Sequence, residues 1–296
     1  MTIRTLSIAL VAALCPANAL AQDLEPALDL SARISIVDAP ILDDELIADG
    51  DALSLRIAPS LVWAREGFRV RASSSNRFIH YLDDGRADRW RHLHRLEVGT
   101  AASGDTDVLA YAERGTGLST AEYSDTDQWE AGARLEHRIG TEHRLRVGGG
   151  WRWRTYDDLE RSSGDGPELR ADYRYRFAAN HYLGADLVRE SIDSDTERRR
   201  FARTIASLSY TRPVARDLRV RPQLSYRAID YPGRPVAPLA DGTVREDRVW
   251  LPELTLLYSP GDFMITGEAQ YIARSSTDPA YDENGYRLGV EVGIEL

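Results

Sequence analysis

Nine arginines, Arg134, Arg138, Arg144, Arg146, Arg152, Arg154, Arg170, Arg174 and Arg176, fall at even spacings within three stretches of alternating polarity. In extended backbone, successive side chains leave on opposite faces, so these guanidiniums share one face. A guanidinium is permanently charged and offers a fork of five donors, which suits carboxylates and phosphates. Glu130, Glu136 and Asp172 lie on the same face and offset part of the charge, while Gly148 and Gly150 leave space beside them. The balancing acids decide what such a face does. Acids on a distant wall set up a field that favours anionic or zwitterionic solutes. Acids on neighbouring strands pair with the arginines and only stiffen the sheet.

A second constellation is His80, Asp83, Asp84, Asp88, His92 and His94. Histidines among carboxylates can transfer protons or hold a metal, as at the site of a rim-sited hydrolase. However, His92 and His94 keep step with Leu96 and Val98, which places them on an apolar face. No serine stands in a nucleophile motif. The expectation is an interfacial histidine pair, with no catalytic residue, metal or cofactor.

The elements that must position these residues are strands. Arg4 opens the chain, an apolar run covers Leu6 to Leu14, and Ala19-Leu20-Ala21 offers small residues for cleavage. Residues 1–21 are therefore expected to be a signal peptide and residues 22–296 the mature barrel. Cys15, the one cysteine, would leave with the signal, so disulfides and thiol chemistry are excluded. No later apolar run approaches the twenty residues of a membrane helix. A formal charge of -10 argues against a nucleic-acid partner. All 37 basic residues are arginine.

The mature segment repeats units of about ten alternating residues, joined in turn by long polar loops and short turns. Leu28, Leu30, Ala32, Ile34 and Ile36 alternate with Asp29, Ser31, Arg33 and Ser35. Tyr286, Leu288, Val290, Val292, Ile294 and Leu296 alternate with Arg287, Gly289, Glu291, Gly293 and Glu295. Twelve more strands are predicted between them. They include Val108–Tyr123, Trp129–Ile139, His143–Tyr156, Leu169–Phe177, His181–Ser191, Leu218–Asp230 and Val249–Ser259. Trp90, Trp129, Trp151, Trp153 and Trp250 fall at predicted outer ends of strands. Trp63, Phe68, Phe177, Tyr258 and Phe263 fall at inner ends, as two interfacial aromatic belts require.

The predicted fold is an all-β, antiparallel, up-and-down transmembrane barrel of about 14 strands in a Gram-negative outer membrane. Both termini are expected in the periplasm. Strand seven should then face strand fourteen. Asp29, Glu268, Glu291 and Glu295 form an expected acidic wall opposite the basic one. The long loops are acidic, with Asp43, Asp44, Glu45, Asp49 and Asp51 in one and Asp157, Asp158, Glu160, Asp165 and Glu168 in another. Divalent cations could bridge such loops to lipopolysaccharide.

The last strand resembles the closing signal read by the barrel assembly machinery, with Leu296 where an aromatic residue is usual. Ser276-Thr277-Asp278-Pro279-Ala280-Tyr281, followed by Arg287-Leu288, resembles the end of the barrel domain of surface lipoprotein assembly modifiers. In that family Ser276, Pro279, Tyr281 and Arg287 have counterparts in the last outer loop and final strand, and an Asn stands where this chain has Thr277. The resemblance implies a fourteen-stranded barrel that helps move a lipoprotein cargo to the cell surface. A porin-like channel for small anionic or zwitterionic solutes is the alternative from the residues themselves.

Overall fold

The computed structural model describes residues 24–38, 50–83, 87–118, 126–157, 162–236 and 242–296. The segment expected as a signal peptide, together with Asp43, Asp44, Glu45, Asp49, Asp84, Asp158 and Glu160, lies outside them.

The strands are β1 (Leu24–Asp38), β2 (Ala52–Arg65), β3 (Phe68–Tyr81), β4 (Arg89–Ser103), β5 (Thr106–Leu118), β6 (Thr126–Ile139) and β7 (His143–Tyr156). They continue with β8 (Ser163–Ala178), β9 (His181–Ser194), β10 (Phe201–Pro213), β11 (Leu218–Pro235), β12 (Val244–Tyr258), β13 (Phe263–Ser276) and β14 (Asn284–Glu295). Each pairs antiparallel with the next, and β1 pairs with β14, closing a fourteen-stranded barrel. Closure leaves no edge, so the backbone groups of every strand find partners where lipid offers none.

The period of two is set by what each face meets. Leu53, Leu55 and Ile57 of β2, Leu145 and Val147 of β7, Leu254 and Leu256 of β12, and Leu288, Val290 and Val292 of β14 are all exposed on the outer wall. Trp90, Trp129, Trp151, Trp153 and Trp250 ring that wall towards the loop end. Phe68, Phe177, Tyr258 and Phe263 ring it towards the turn end. The tight turns need little chain. Glu66 and Gly67 both take positive φ, 47° and 81°, the mirror-image turn that matches the strands' twist.

Strands run from 12 to 18 residues, whereas about 9–11 cross a bilayer. The excess changes several predicted boundaries. β8 begins at Ser163, so Asp165 and Glu168 belong to a strand and not to a loop. β11 reaches Pro235 and β12 starts at Val244, shortening the predicted Tyr231–Asp247 loop. β5 is described as far as Leu118, and the rest of the predicted Val108–Tyr123 strand lies outside the described residues. Beyond the hydrocarbon neither face must be apolar, so Gly, Pro and charged residues can extend a strand there. Gly166 also permits close approach: a Cβ at that position would collide with the Ser191 carbonyl of β9.

At the loop end Asp195 accepts hydrogen bonds from the Ser163 N–H (3.0 Å) and the Ser163 hydroxyl (3.1 Å). The Ser163 backbone bond, foremost, holds the Asp195 carboxyl below its ordinary range. A depressed carboxyl stabilises the fold fully above its unfolded value of about 3.9 and loses that effect as pH falls through its folded value. Hydrogen-exchange protection of the Ser163 amide is therefore expected to drop between about pH 5 and pH 2. Protection that persists unchanged across that range would count against the contact.

Candidate functional site: a cationic lumen

The inward face divides into tiers. Towards the loop end it is packed. Ala52, Ile79 and Tyr81 form one buried apolar cluster, Ile192, Phe201, Ile229 and Tyr231 a second, and Val249, Leu251 and Ile272 a third. Towards the turn end the inward Arg138, Arg174 and Arg176 are exposed. Inward side chains are thus buried towards the loop end and exposed towards the turn end.

The predicted basic face spreads over these tiers. Arg152 and Arg154 are buried in the packed half. Arg152 reaches Glu130 at 2.7 Å, Glu168 at 2.5 Å and Glu190 at 2.9 Å. Glu190 also meets Arg154 at 3.0 Å and Arg203 at 2.6 Å. A buried carboxylate is tolerated only with such partners. At the turn end Arg138 pairs with Glu136 at 2.9 Å and Asp107 at 3.2 Å. Arg144 stands between Arg138 and Arg174 in the cross-strand register.

Arg134, Arg146 and Arg170 line a cavity of about 390 Å³ between these tiers. Arg71 of β3 and Arg95 of β4 complete it, with Glu97, Tyr111, Ser73, Ala133 and Gly148. Five guanidiniums therefore face one carboxylate on the lining. Arg95 pairs with Glu97 (3.0 Å) and Glu113 (3.1 Å) and lies 4.2 Å over the Tyr111 ring. Tyr111 donates its hydroxyl hydrogen to Glu130 at 2.6 Å. Gly132 and Gly150 make room for that phenol, since a Cβ on either would sit 2.8 or 3.0 Å from its oxygen. Arg146 pairs with Asp172 at 2.8 Å, and Arg170 pairs with Glu168.

The expected acidic wall is not of one sign. Glu268 and Glu291 are taken by Arg33 of β1, at 2.6 and 3.8 Å. Asp29 and Glu295 face each other across the β1–β14 pairing. The cross-barrel division of charge thus gives way to local ion pairs, because each strand carries both signs within reach of its neighbours. Glu97, Glu113, Glu168 and Glu190, and the cationic partners Arg71, Arg95 and Arg203, were not among the predicted site residues. Their signal was present: each occupies the inward parity of its strand.

The rim constellation separates. His80 meets Asp88 at 2.8 Å, with both exposed at the loop end. His92 and His94 lie on the outer wall, bonded to Asn76 (2.8 Å) and Ser74 (2.9 Å). Among the described residues no three His, Cys, Asp or Glu side chains gather as metal ligands would.

The loop residues compared with lipoprotein assembly modifiers form a clasp. The Ser276 hydroxyl donates to Asp247 at 2.7 Å. Asp247 also accepts from Arg245 at 2.7 Å and Arg274 at 2.6 Å. Pro279–Tyr281 form a short 3-10 turn, and Arg245 lies 3.4 Å over the Tyr281 ring. Arg287 is buried on the inward face of β14.

No protein-family model matches the sequence, and no curated protein matches it. Solved structures do resemble it. The outer membrane channel DcaP of Acinetobacter baumannii aligns with a TM-score of 0.58 at 10% identity, over 92% of this chain and 97% of that one. A bacterial polysaccharide outer membrane secretin gives 0.57 at 10% identity, over 92% and 98%. A loop-deleted OmpT, an outer membrane protein of Vibrio cholerae, gives 0.54 at 11% identity, over 92% and 99%. At such identities the likeness is one of fold, and the fold is that of a Gram-negative outer-membrane β-barrel.

Proposed function

We propose that the barrel is a non-enzymatic, gated passage for small anionic solutes across the outer membrane, with its turns and termini in the periplasm. The cavity ringed by five guanidiniums and one carboxylate carries this reading. Fixed cations in a confined space raise the local concentration of anions. The packed loop-end half acts as the gate, which must part for a solute to cross. Transfer of lipoproteins is supported by the Ser276–Tyr281 sequence alone, and a lumen filled by side chains counts against threading a polypeptide. The likeness to DcaP, an outer membrane channel, agrees with a solute passage.

Planar-bilayer recording tests the proposal. Brief openings are expected, with a reversal potential in a potassium chloride gradient that marks preference for chloride. Replacing Arg134 and Arg146 by Gln should move that potential towards zero selectivity. A barrel that never conducts, or that prefers potassium, would overturn the reading.

A further inference from the structure

We propose that the lumen cavity is a binding site for a compact anion carrying two or more oxyanion groups, held between Arg71 on β3 and Arg134 on β6. It rests on the lumen being solute-facing and names the solute that would be retained there.

The five guanidiniums are not equally satisfied. Arg95 is held by two carboxylates, Arg146 by Asp172 and Arg170 by Glu168. Among the described residues Arg134 has only Glu97 at 3.8 Å, beyond hydrogen-bond distance, and Glu97 is already bound to Arg95 at 3.0 Å. Arg71 is exposed, and among the described residues it has no hydrogen-bond or ion-pair partner. Positive charge is therefore least compensated at two points of one cavity. Three strand intervals separate them, about 14 Å along the wall at about 4.8 Å per interval, and long side chains shorten that gap. A single small oxyanion answers one of these cations. A molecule with two oxyanion groups answers both.

The surroundings favour binding over mere attraction. The cavity volume of about 390 Å³ lies at the small end of ligand pockets, about 300–1,000 Å³. Arg95 is fixed by its stacking on Tyr111 and by its ion pairs, so one wall is ordered in advance. Arginine forks match carboxylate and phosphate oxygens two at a time, which selects polycarboxylates or phosphate esters over halides.

The test is calorimetric titration of the detergent-solubilised barrel, purified from the outer membrane, with citrate, pyrophosphate and uncharged sucrose at low salt. Citrate, pyrophosphate or both should bind one to one, and sucrose should not. Citrate alone marks a carboxylate site, and pyrophosphate alone marks a phosphate site. R71Q and R134Q should each weaken binding about tenfold, and the double variant about a hundredfold. R138Q, on the same face but paired at the turn end, should leave affinity within about twofold. Heat-modified gel migration confirms that each variant is folded. No binding of either anion, or wild-type affinity in the R71Q/R134Q double variant, overturns the proposal. Conductance is read separately. A conducting barrel that binds neither anion keeps the passage and loses this site, and binding without conductance does the reverse.

Discussion

Replacing Glu190 by alanine is expected to destabilise the barrel by about 3–5 kcal/mol, the range for removing one member of a buried ion pair. Glu190 is 1% exposed and touches Arg152, Arg154 and Arg203 within 3.0 Å. Its loss leaves three guanidiniums in a packed region, one of which still faces Glu130 and Glu168. Glu246 provides the contrast. It pairs with Arg248 at 2.9 Å, but both side chains are more than a third exposed. Glu246→Ala should cost no more than about 1 kcal/mol, since solvent and salt already screen that pair. Urea unfolding in lipid vesicles, followed by tryptophan emission, separates the two. Equal midpoints for the Glu190 and Glu246 variants would show that the network is not buried in the working protein.

Asp247→Ala is expected to act as strongly, but locally. Asp247 is 1% exposed and joins Arg245, Arg274 and Ser276. Without the carboxylate, two cations remain side by side beneath Tyr281, and the same buried-pair range of about 3–5 kcal/mol applies to the clasp. Thr277 is also tied to β12, through Val244 and Glu246. Those ties lie beyond the hydrocarbon, where water can replace them. Amides from Thr277 to Asn284 should therefore exchange faster, and openings in a bilayer should lengthen, while the β12–β13 amides near Leu254 stay protected. Exchange unchanged across Thr277–Asn284 would remove Asp247 from the gate.

Lipid writes its own period into a strand, which made the barrel legible. Leu288, Val290 and Val292 meet lipid on the outer wall, and the alternating Gly289 and Glu291 turn inward. The extensions were hidden for the same reason. Gly164, Gly166 and Pro167 of β8 stand above the oil, where no alternation is demanded. The acids around Arg152 were harder to see because Glu168 lay in a predicted loop and Glu190 in a weakly patterned strand. The packing of the loop-end half depends on side chains meeting between neighbouring strands, which the period within one strand does not record. Its one local sign was apolar residues in inward positions, such as Val249 and Leu251 of β12 beside outward Trp250.

Among these strands every pairing but one joins immediate sequence neighbours, and β1 with β14 is the exception. Hairpins can therefore zip in succession at little entropic expense, each over a short turn. The remaining search is a single event in which two distant edges meet and Leu28 and Leu296 exchange backbone bonds at 2.9 and 3.0 Å. Assembly kinetics should thus have one slow step, concentrated in that joint, and a curled open ribbon is the form the chain takes while it waits.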